Sequence, residues 1–478
     1  MHASDWNNPD WERLWLYNLH YFDDLHAKDS EARVAWHRQL IQRWVAENPP
    51  SRGNGWEPYP LSLRIVNWVK WTCSGPNLSE AAVHSLAIQA RCLRKRIEYH
   101  LFGNHLLANA KALVFAGLFF DGDEAKEWFD TGLSILDREF AEQILADGGH
   151  FERSPMYHSI VLEDVLDLVA VNRVFPSVVP RQSLDRWTQI AANMFRWLAA
   201  MCHPDGEISF FNDAAFGVAL TPEQLRVCAA ALSVVVEALP ETDITRLEPS
   251  GYVRIRRDPM LVIFDAAPVG PDYIPGHAHA DTLSFELSWN GQRVLTNSGT
   301  STYGVGPQRA RERSTAAHNT VVVDAENSSE VWSAFRVARR ARPLGLEVER
   351  SDGALRVECS HDGYQRLKGA PVHRRAIEVT GSGLQVHDTI SGHGIHQAAG
   401  YFHFHPGVRL EETAAGDWII LLPGGSKLRM RGQNGLRLKQ EEGVYAPEFG
   451  KLIPRPVLAW RVEQRLPMSA AVELYEER

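Results

Sequence analysis

The sequence predicts an α+β multidomain protein, in which a helical N-terminal domain is followed by an antiparallel β-sandwich. The chain has 478 residues, which is more than a single domain usually contains. Apolar residues recur at helical spacing up to about residue 240, and short alternating segments separated by turns take their place from Gly251. We therefore expect a helical domain over residues 1–245 and a β-domain over residues 246–478.

Several stretches of the N-terminal half are predicted to be helices because their apolar residues recur at helical spacing. Gly or Pro residues separate these stretches. Their spacing fits stacked helical hairpins, and an irregular bundle is the alternative. The last helix is expected to end before Pro240. The predicted helices cover Leu61–Trp71, Ala81–Leu101, Asn104–Leu118, Trp128–Ala146, Tyr157–Asn172, Leu184–Met201 and Ala229–Leu239.

The C-terminal half alternates apolar and polar residues with the period of a β-strand. Turn signals such as Gly381-Ser382-Gly383 and Pro423-Gly424-Gly425 separate these segments, as in a sandwich of antiparallel strands. The predicted strands include Leu261–Ala266, Arg293–Thr296, Thr320–Asp324, Ala376–Thr380, Leu384–Ile390, Trp418–Leu422 and Leu428–Arg431.

Composition excludes several classes of protein. A formal net charge of −9 provides no overall positive field for nucleic acid. The five cysteines are dispersed without a CxxC pair, which argues against a disulfide framework. No apolar run reaches the roughly 18 residues that a membrane span needs. The N-terminus lacks a signal-peptide pattern, so we expect a cytoplasmic protein, or a periplasmic one if a leader has been removed.

The most informative motif is His277-Ala278-His279-Ala280-Asp281, which runs into the alternating segment Leu283–Ser288. If extended backbone reaches back to His277, the two imidazoles and the carboxylate share one face of a strand. Such a set favours a metal site or a proton-transfer site. A polar strand end with hydrogen-bonded histidines is the structural alternative.

Other polar residues gather in loops and at the ends of predicted elements, where functional side chains are common. The loop over residues 148–158 carries a carboxylate, a guanidinium, imidazoles and a phenol, a combination typical of functional loops. Asn104-His105 begins a predicted helix, where capping alone would explain the asparagine. For the remaining candidates, the structural alternative is a place in a turn, in a solvated loop or at the start of a strand. The candidates are Glu152, Arg153 and Tyr157, the turn residues Asn297 and Tyr303, the basic residues Arg309 and Arg313, and His318.

Taken in order, these motifs resemble the heparinase II/III-like polysaccharide lyases. The resemblance implies an incomplete (α/α) toroid followed by antiparallel β-sandwich sheets, which agrees with the change from helices to strands. It also implies β-elimination on uronic-acid polysaccharides such as heparan sulfate or alginate. The matching residues are Gly103-Asn104-His105-Leu106, the loop with Glu152 and Tyr157, the segment from Gly276 to Phe285, Asn297-Ser298-Gly299-Thr300, Tyr303-Gly304 and His318-Asn319-Thr320.

The chemistry of β-elimination explains the residue types at these positions. A donor neutralises the uronate carboxylate, a base takes the C5 proton, and an acid protonates the leaving O4. The resemblance puts neutralisation on Asn104, the acid on Tyr157 and the base on His277. His105 is the alternative base, and Tyr157 serves as base as well for some substrate stereochemistries. Candidates for contacts with an acidic glycan are Glu152, Arg64, Arg153, Arg309, Arg313 and Tyr303.

Several members of the family hold a metal, usually zinc, in the β-domain. The matching positions in this chain are His279, Asn297 and His318. The family usually has aspartate where this chain has Asn297, and a neutral amide is a poorer zinc ligand than a carboxylate. The sequence therefore leaves a zinc-bound and a metal-free site open, with Asp281 as another source of a carboxylate.

Two other functions stay open at this point. A non-catalytic protein of exopolysaccharide metabolism would bind an acidic polysaccharide or oligosaccharide and release no product. A glycoside hydrolase would use Glu152 with Asp213 or Glu207, and it requires two carboxyl groups that face each other across the substrate. The sequence shows no paired-carboxylate motif, so the hydrolase ranks last.

Overall fold

The computed structural model describes residues 2–351, 353–414 and 416–477. Helices occupy the first half and antiparallel strands most of the second, which confirms the predicted α+β multidomain class. Contacts divide the chain into two compact units. The helical unit is Met1–Gln143 with Glu163–Ala191, and the sheet unit is Ile144–Leu162 with Ala192–Arg478. The division after residue 245 stays a prediction.

The helical unit contains α-helices that pack largely through apolar faces. Helix α5 is buried on nearly all sides, and most residues from Gly103 to Leu118 are apolar or small. It packs against α3 and α6. The helices are α1 (Arg13–Leu19), α2 (Val34–Glu47), α3 (Pro58–Cys73), α4 (Glu80–Lys95), α5 (Gly103–Phe119) and α6 (Asp123–Gln143), with parts of α7 (Pro155–Val174) and α8 (Arg181–Ala200).

The last helix of this series lies earlier than the sequence analysis predicted. Helix α9 covers Pro222–Ala231, and residues 232–239 form a turn and a segment without regular structure. Thr221 caps the helix, since its hydroxyl accepts a hydrogen bond from the Gln224 backbone and the Gln224 side chain bonds back. This capping box, followed by proline at the first helical position, is a start signal that apolar spacing alone missed.

The sheet unit is built from antiparallel strands. One sheet is a meander in the order β1-β2-β3-β4-β5, and the others have the orders β14-β15-β16-β19-β12-β11-β10-β9 and β17-β18-β13-β6. The strands are β1 (Ile244–Leu247), β2 (Tyr252–Arg257), β3 (Met260–Asp265), β4 (Phe285–Trp289), β5 (Gln292–Leu295), β6 (Val321–Val323), β7 (Val331–Trp332), β8 (Arg336–Val337), β9 (Pro343–Ser351), β10 (Ala354–His361), β11 (Val372–Thr380), β12 (Gly383–Ser391), β13 (Ile395–His403), β14 (Arg409–Ala414), β15 (Asp417–Leu421), β16 (Lys427–Gly432), β17 (Lys439–Glu448), β18 (Lys451–Arg465) and β19 (Met468–Glu476).

One hydrophobic core joins the three larger sheets, as in a sandwich. It includes Phe264 of the first sheet, Ile377 of the second and Phe402 of the third, all buried. Two connections leave this core and carry part of the candidate site. They are the loop between β3 and β4, and the connection between β5 and β6, which contains α10 (Pro307–Glu312). Among the described residues, no helix is both long and apolar enough to cross a membrane.

The motif from His277 to Asp281 lies in the loop before β4 and not on an extended strand. Strand β4 begins only at Phe285, because Thr282 and Leu283 form a turn and Leu283 has a φ of 64°. The expected common face of a strand is therefore wrong. The two histidines come together through a shared hydrogen-bond partner instead.

Candidate active site

Asp213 is the centre of the candidate site in the sheet unit. Its fully buried carboxylate accepts hydrogen bonds from His279 Nε2 at 2.8 Å, His277 Nδ1 at 2.9 Å and Thr300 Oγ1 at 3.2 Å. Both of its oxygens also bind the Arg309 guanidinium. Burial alone would raise the pKa of Asp213, but the Arg309 charge and these hydrogen bonds hold it well below its usual range. Asp213 is therefore an ionised carboxylate that orients two imidazoles.

His277 is the imidazole of this cluster that reaches the surface. Its side chain is 16% exposed, whereas that of His279 is 1% exposed. A carboxylate only accepts hydrogen bonds, so the bond to Asp213 assigns the proton of neutral His277 to Nδ1 and leaves a lone pair on Nε2. The imidazole packs against the Tyr157 ring, with centroids 3.9 Å apart and an interplanar angle of 33°. A base and a phenol thus lie side by side.

Tyr157 lies in the first turn of α7, and its hydroxyl is 2.8 Å from the Tyr303 hydroxyl. Burial and the nearby Asp213 carboxylate raise the pKa of Tyr303 well above its usual value. Tyr303 therefore remains protonated and can donate a hydrogen bond to the Tyr157 oxygen. A donor in this position stabilises negative charge on Tyr157 when that residue gives up its proton.

The loop before α7 brings Glu152 to the same cluster. The Glu152 carboxylate is buried and lies 3.8 Å from His277 Nε2. Arg153 adopts a left-handed backbone conformation with a φ of 59°, and its guanidinium donates to the carbonyl oxygens of Ser250 and Phe151. Glu152 is thus the acidic side chain of this loop that lies near the imidazole.

The other predicted arginines are buried and bonded to the protein. Arg309 donates to Asp213 and to a backbone carbonyl, and Arg313 donates to several backbone carbonyls. In the helical unit, Arg64 donates to the Gln89 side chain and to two backbone carbonyls. Burial of all three favours structural contacts over contacts with substrate, and substrate binding by them stays a prediction.

Asn104 and His105 lie in the first turn of α5, in the helical unit. The helix begins at Gly103 after Phe102, so Asn104 is not the N-cap and capping does not explain it. Its side chain is largely buried. His105 is 32% exposed at its side chain, and its Nδ1 lies 3.3 Å from Glu98 Oε2. The Tyr59 ring covers the imidazole at a centroid distance of 4.3 Å.

His279 and His318 are oriented as two ligands of one metal ion would be. His279 Nδ1 and His318 Nε2 lie 3.1 Å apart, and the outer nitrogens face the Asp213 carboxylate and the Ser314 carbonyl, each at 2.8 Å. Acceptors of this kind orient metal-binding imidazoles. Because both outer nitrogens donate, the inner pair requires one additional proton or a cation. Burial lowers the pKa of His318 to about 4, which disfavours the additional proton.

Asn297 would have to supply the third ligand of such a site. Its buried amide accepts a hydrogen bond from the Asn319 backbone at 3.3 Å and lies 3.5 Å from Ser284 Oγ. The alternative carboxylate, Asp281, accepts a hydrogen bond from the Asn212 backbone at 3.1 Å. Within the ranges that the structure describes, no three His, Cys, Asp or Glu side chains are grouped as metal ligands. The imidazole pair fits a divalent cation, and zinc binding at these residues stays a prediction.

Sequence reasoning missed the main role of Asp213. It considered this residue only as a partner for Glu152 in a hydrolase, whereas the carboxylate is buried and bonded to Arg309 and two imidazoles. The signal was present, because Asp213 lies in an apolar and aromatic stretch from Phe210 to Phe216. A lone carboxylate in such a stretch indicates a buried and paired charge.

Comparison with known proteins covers both halves of the chain. A family profile described as heparinase II/III N-terminus matches residues 16–231, and one described as heparinase II/III-like, C-terminal, matches residues 239–472. A heparin-sulfate lyase of Bacteroides stercoris is 24% identical over 418 residues, which are 81% of this chain and 57% of that protein. The chain thus spans less than two thirds of the length of this curated relative.

Two further similarities cover most of the chain. The FtsZ-localized protein C of Caulobacter vibrioides is 26% identical over 446 residues, which cover 86% of this chain and 72% of that protein. A crystal structure of heparinase III superimposes with a TM-score of 0.77 at 19% identity, covering 96% of this chain and 76% of that one. At this identity the likeness establishes the shared fold and leaves the chemistry to the site.

Proposed function

The chain belongs to the heparinase II/III-like family, and from that premise we propose that it cleaves uronic-acid-containing polysaccharides by β-elimination. The observation that carries this proposal is the packing of the His277 imidazole against the Tyr157 ring, while Nδ1 of the imidazole is hydrogen-bonded to Asp213. A fixed base beside a phenolic acid suits a reaction that removes one proton and returns another.

His277 is the proposed base. Its Nε2 lone pair takes the C5 proton, and the electrons of that C–H bond first form the enolate-like intermediate and then the C4–C5 double bond as the C4–O4 bond breaks. The resulting imidazolium is stabilised by the Asp213 carboxylate at 2.9 Å. Because Asp213 also binds the Arg309 guanidinium, its carboxylate stays in place whether the His277 imidazole is neutral or protonated.

Tyr157 is the proposed acid, which gives its proton to the departing O4. The Tyr303 hydroxyl at 2.8 Å then donates to the Tyr157 phenolate. Proton exchange with solvent returns His277 and Tyr157 to their starting states. For substrates of other stereochemistry, Tyr157 takes up the C5 proton as well.

In the helical unit, Asn104 is proposed to neutralise the uronate carboxylate by donating from its amide, which stabilises the enolate-like intermediate. His105 is the alternative base to His277. Glu152 is proposed to orient the sugar or Tyr157, since its carboxylate is held 3.8 Å from His277 Nε2. The implied substrate is an acidic polysaccharide or oligosaccharide.

A divalent cation, when bound, would be held by His279, His318 and Asn297, and it would supply a fixed positive charge beside Asp213. The proton-transfer steps proposed above use only His277, Tyr157 and their hydrogen-bond partners.

Near-ultraviolet absorbance of the unsaturated uronate product tests the proposal on a panel of acidic polysaccharides. The panel comprises heparan sulfate, hyaluronan, chondroitin, alginate, polyglucuronate and bacterial exopolysaccharides. We expect absorbance to rise with at least one of them and the rise to be lost in Tyr157→Phe. No rise across the panel, or full activity in that variant, would contradict the proposal.

A second candidate is a non-catalytic protein that binds an acidic glycan. The relative from Caulobacter vibrioides supports it, because its name describes a location and no reaction, while it matches 86% of this chain. This candidate predicts binding that weakens as salt concentration rises, with no unsaturated product. Affinity electrophoresis with the same panel distinguishes it from the lyase.

A further inference from the structure

Glu98 connects the loop after α4 to His105 of α5, within the helical unit. Its side chain is 8% exposed, and Oε2 lies 3.3 Å from His105 Nδ1 and 3.1 Å from Asn109 Nδ2. Its backbone N–H donates to Asn109 Oδ1 at 2.8 Å. Its backbone carbonyl accepts from the N–H groups of Leu101 at 3.0 Å and Phe102 at 3.2 Å. Glu98 is therefore held by both its backbone and its side chain.

Asn109 fixes the direction in which the Glu98 carboxylate points. Both ends of its amide are bonded, because Nδ2 also donates to Ser62 Oγ at 3.1 Å while Oδ1 accepts from Glu98. Asn109 and Ser62 are completely buried. An amide bonded at both ends cannot rotate without breaking these bonds, so the carboxylate remains aimed at His105.

The carboxylate determines which nitrogen of His105 carries the proton. An ionised carboxylate only accepts hydrogen bonds, so the nitrogen that faces it, Nδ1, is the donor. Tyr59 packs on the ring with an interplanar angle of 31°. The side chain nevertheless keeps 32% of its surface exposed. Nε2 therefore carries the lone pair of the neutral imidazole.

We propose that Glu98 is a positioning residue for His105, which holds the Nδ1–H tautomer so that Nε2 serves as a proton acceptor. The effect on turnover rests on the proposed lyase function, whereas the tautomer assignment does not. Glu98 thus makes the adjacent Asn104-His105 pair a donor amide next to an acceptor imidazole.

Nitrogen NMR of the protein labelled with ¹⁵N-histidine tests the tautomer, with His105→Gln to assign the signals. We expect His105 to show the Nδ1–H pattern in the wild type and to lose it in Glu98→Ala. Glu98→Gln should retain it, because an amide oxygen in the same place accepts the same two hydrogen bonds. An unchanged His105 signal in Glu98→Ala, or an Nε2–H pattern in the wild type, would overturn the proposal.

Glu139→Ala is the matched control, because Glu139 is also buried in the helical unit but bonds to Arg138 and Gln143. It should leave the His105 signal unchanged. If Glu139→Ala alters that signal as much as Glu98→Ala does, the effect is general loosening of the unit and the proposal fails.

Turnover gives the second readout, on any substrate for which His105→Gln lowers the rate. There, Glu98→Ala should lower kcat about 10-fold with little change in KM, and Glu98→Gln should restore most of it. Equal loss in both variants would contradict a positioning role. If no polysaccharide yields an unsaturated product, the proposed lyase function fails, and the NMR experiment still decides the role of Glu98.

Discussion

Each unit of this protein contains an imidazole with a carboxylate at Nδ1 and a tyrosine ring on one face. In the sheet unit the carboxylate is Asp213, which also binds Arg309 and a second imidazole. In the helical unit it is Glu98, whose side chain contacts His105 and the neutral Asn109 amide. The same local arrangement therefore exists once within a network of charges and once among neutral groups. Orienting an imidazole therefore needs only an acceptor, whereas an acceptor that also balances a buried charge contributes more to stability.

The largest difference is expected from removing each carboxylate. Asp213→Ala leaves the Arg309 charge buried without its partner, so we expect it to lower the free energy of unfolding by about 3–5 kcal/mol. Glu98→Ala removes hydrogen bonds and should cost about 1–3 kcal/mol. Urea unfolding followed by circular dichroism measures both. Equal losses would show that the charge network around Asp213 makes no special contribution.

The pH dependence of stability isolates the charge of Asp213. Because the pKa of Asp213 is held below its usual range, the unfolded chain binds a proton here before the folded protein does as pH falls. The contribution is fully present above the pKa of an unfolded Asp, about 3.9, and is lost as pH falls from there towards the folded-state pKa. Asp213→Asn should therefore lose stability less steeply below that pH than the wild type. If the free energy of unfolding, measured with urea, falls equally steeply in the wild type and in Asp213→Asn below that pH, this prediction is wrong.

Tyr157→Phe removes the acid while keeping the ring that packs on His277. We expect it to lower kcat about 1,000-fold, as loss of a general acid does, with the unfolding free energy nearly unchanged. Tyr445→Phe is the control, because the buried Tyr445 hydroxyl has no hydrogen-bond partner in the described part of the sheet unit. Initial rates of absorbance increase compare the two. A similar loss in both variants would show that the effect is not specific to Tyr157.

The roles of the two imidazoles can be separated because His277 is the proposed base and His105 is the alternative. His277→Gln should lower kcat about 100-fold on substrates of the C5 configuration that His277 serves, and His105→Gln should leave kcat on the same substrates nearly unchanged. Paired assays on glucuronate-rich and iduronate-rich heparan sulfate fractions measure kcat of both variants. A loss in His105→Gln as large as that in His277→Gln would contradict the assignment of the base to His277.

The smallest effect concerns metal binding and uses a second histidine pair of the sheet unit as its control. His373 and His361 also face each other at 3.2 Å, beside Asp388. There the Gly363 N–H donates to the outer nitrogen of His361, so two neutral imidazoles satisfy every contact and no additional proton or cation is needed.

We therefore expect zinc to stabilise the protein by binding at the His279–His318 pair and not at the His361–His373 pair. At a tenfold excess over its Kd, zinc should add about 1.4 kcal/mol to the unfolding free energy. Calorimetry with added zinc and with EDTA measures the shift. His318→Gln should abolish it, and His361→Gln should leave it intact. No shift in the wild type would indicate that the amide of Asn297 does not complete the site.

Local signals in the sequence predicted much of this architecture. The change from helices to strands, most helix positions, and the clusters around Asn104 and Tyr157 follow from periodicity and from polar residues in loops. The pairing of Asp213 with His277 could not be predicted locally, because Asp213 lies 64 residues before His277 and contacts it only through the tertiary fold. Arg309 and Arg313 were expected to contact substrate, since a basic run usually marks a solvated surface, and nothing local showed that both are buried.

The single carboxylate of Asp213 has a consequence for anyone who redesigns this protein. One of its oxygens binds the imidazole nearest the surface and the other binds an imidazole of the histidine pair. The two sites therefore cannot be tuned independently by changing this residue. Any replacement has to accept from four donors at once, so new specificity is better sought by varying the loop around Glu152 and Tyr157.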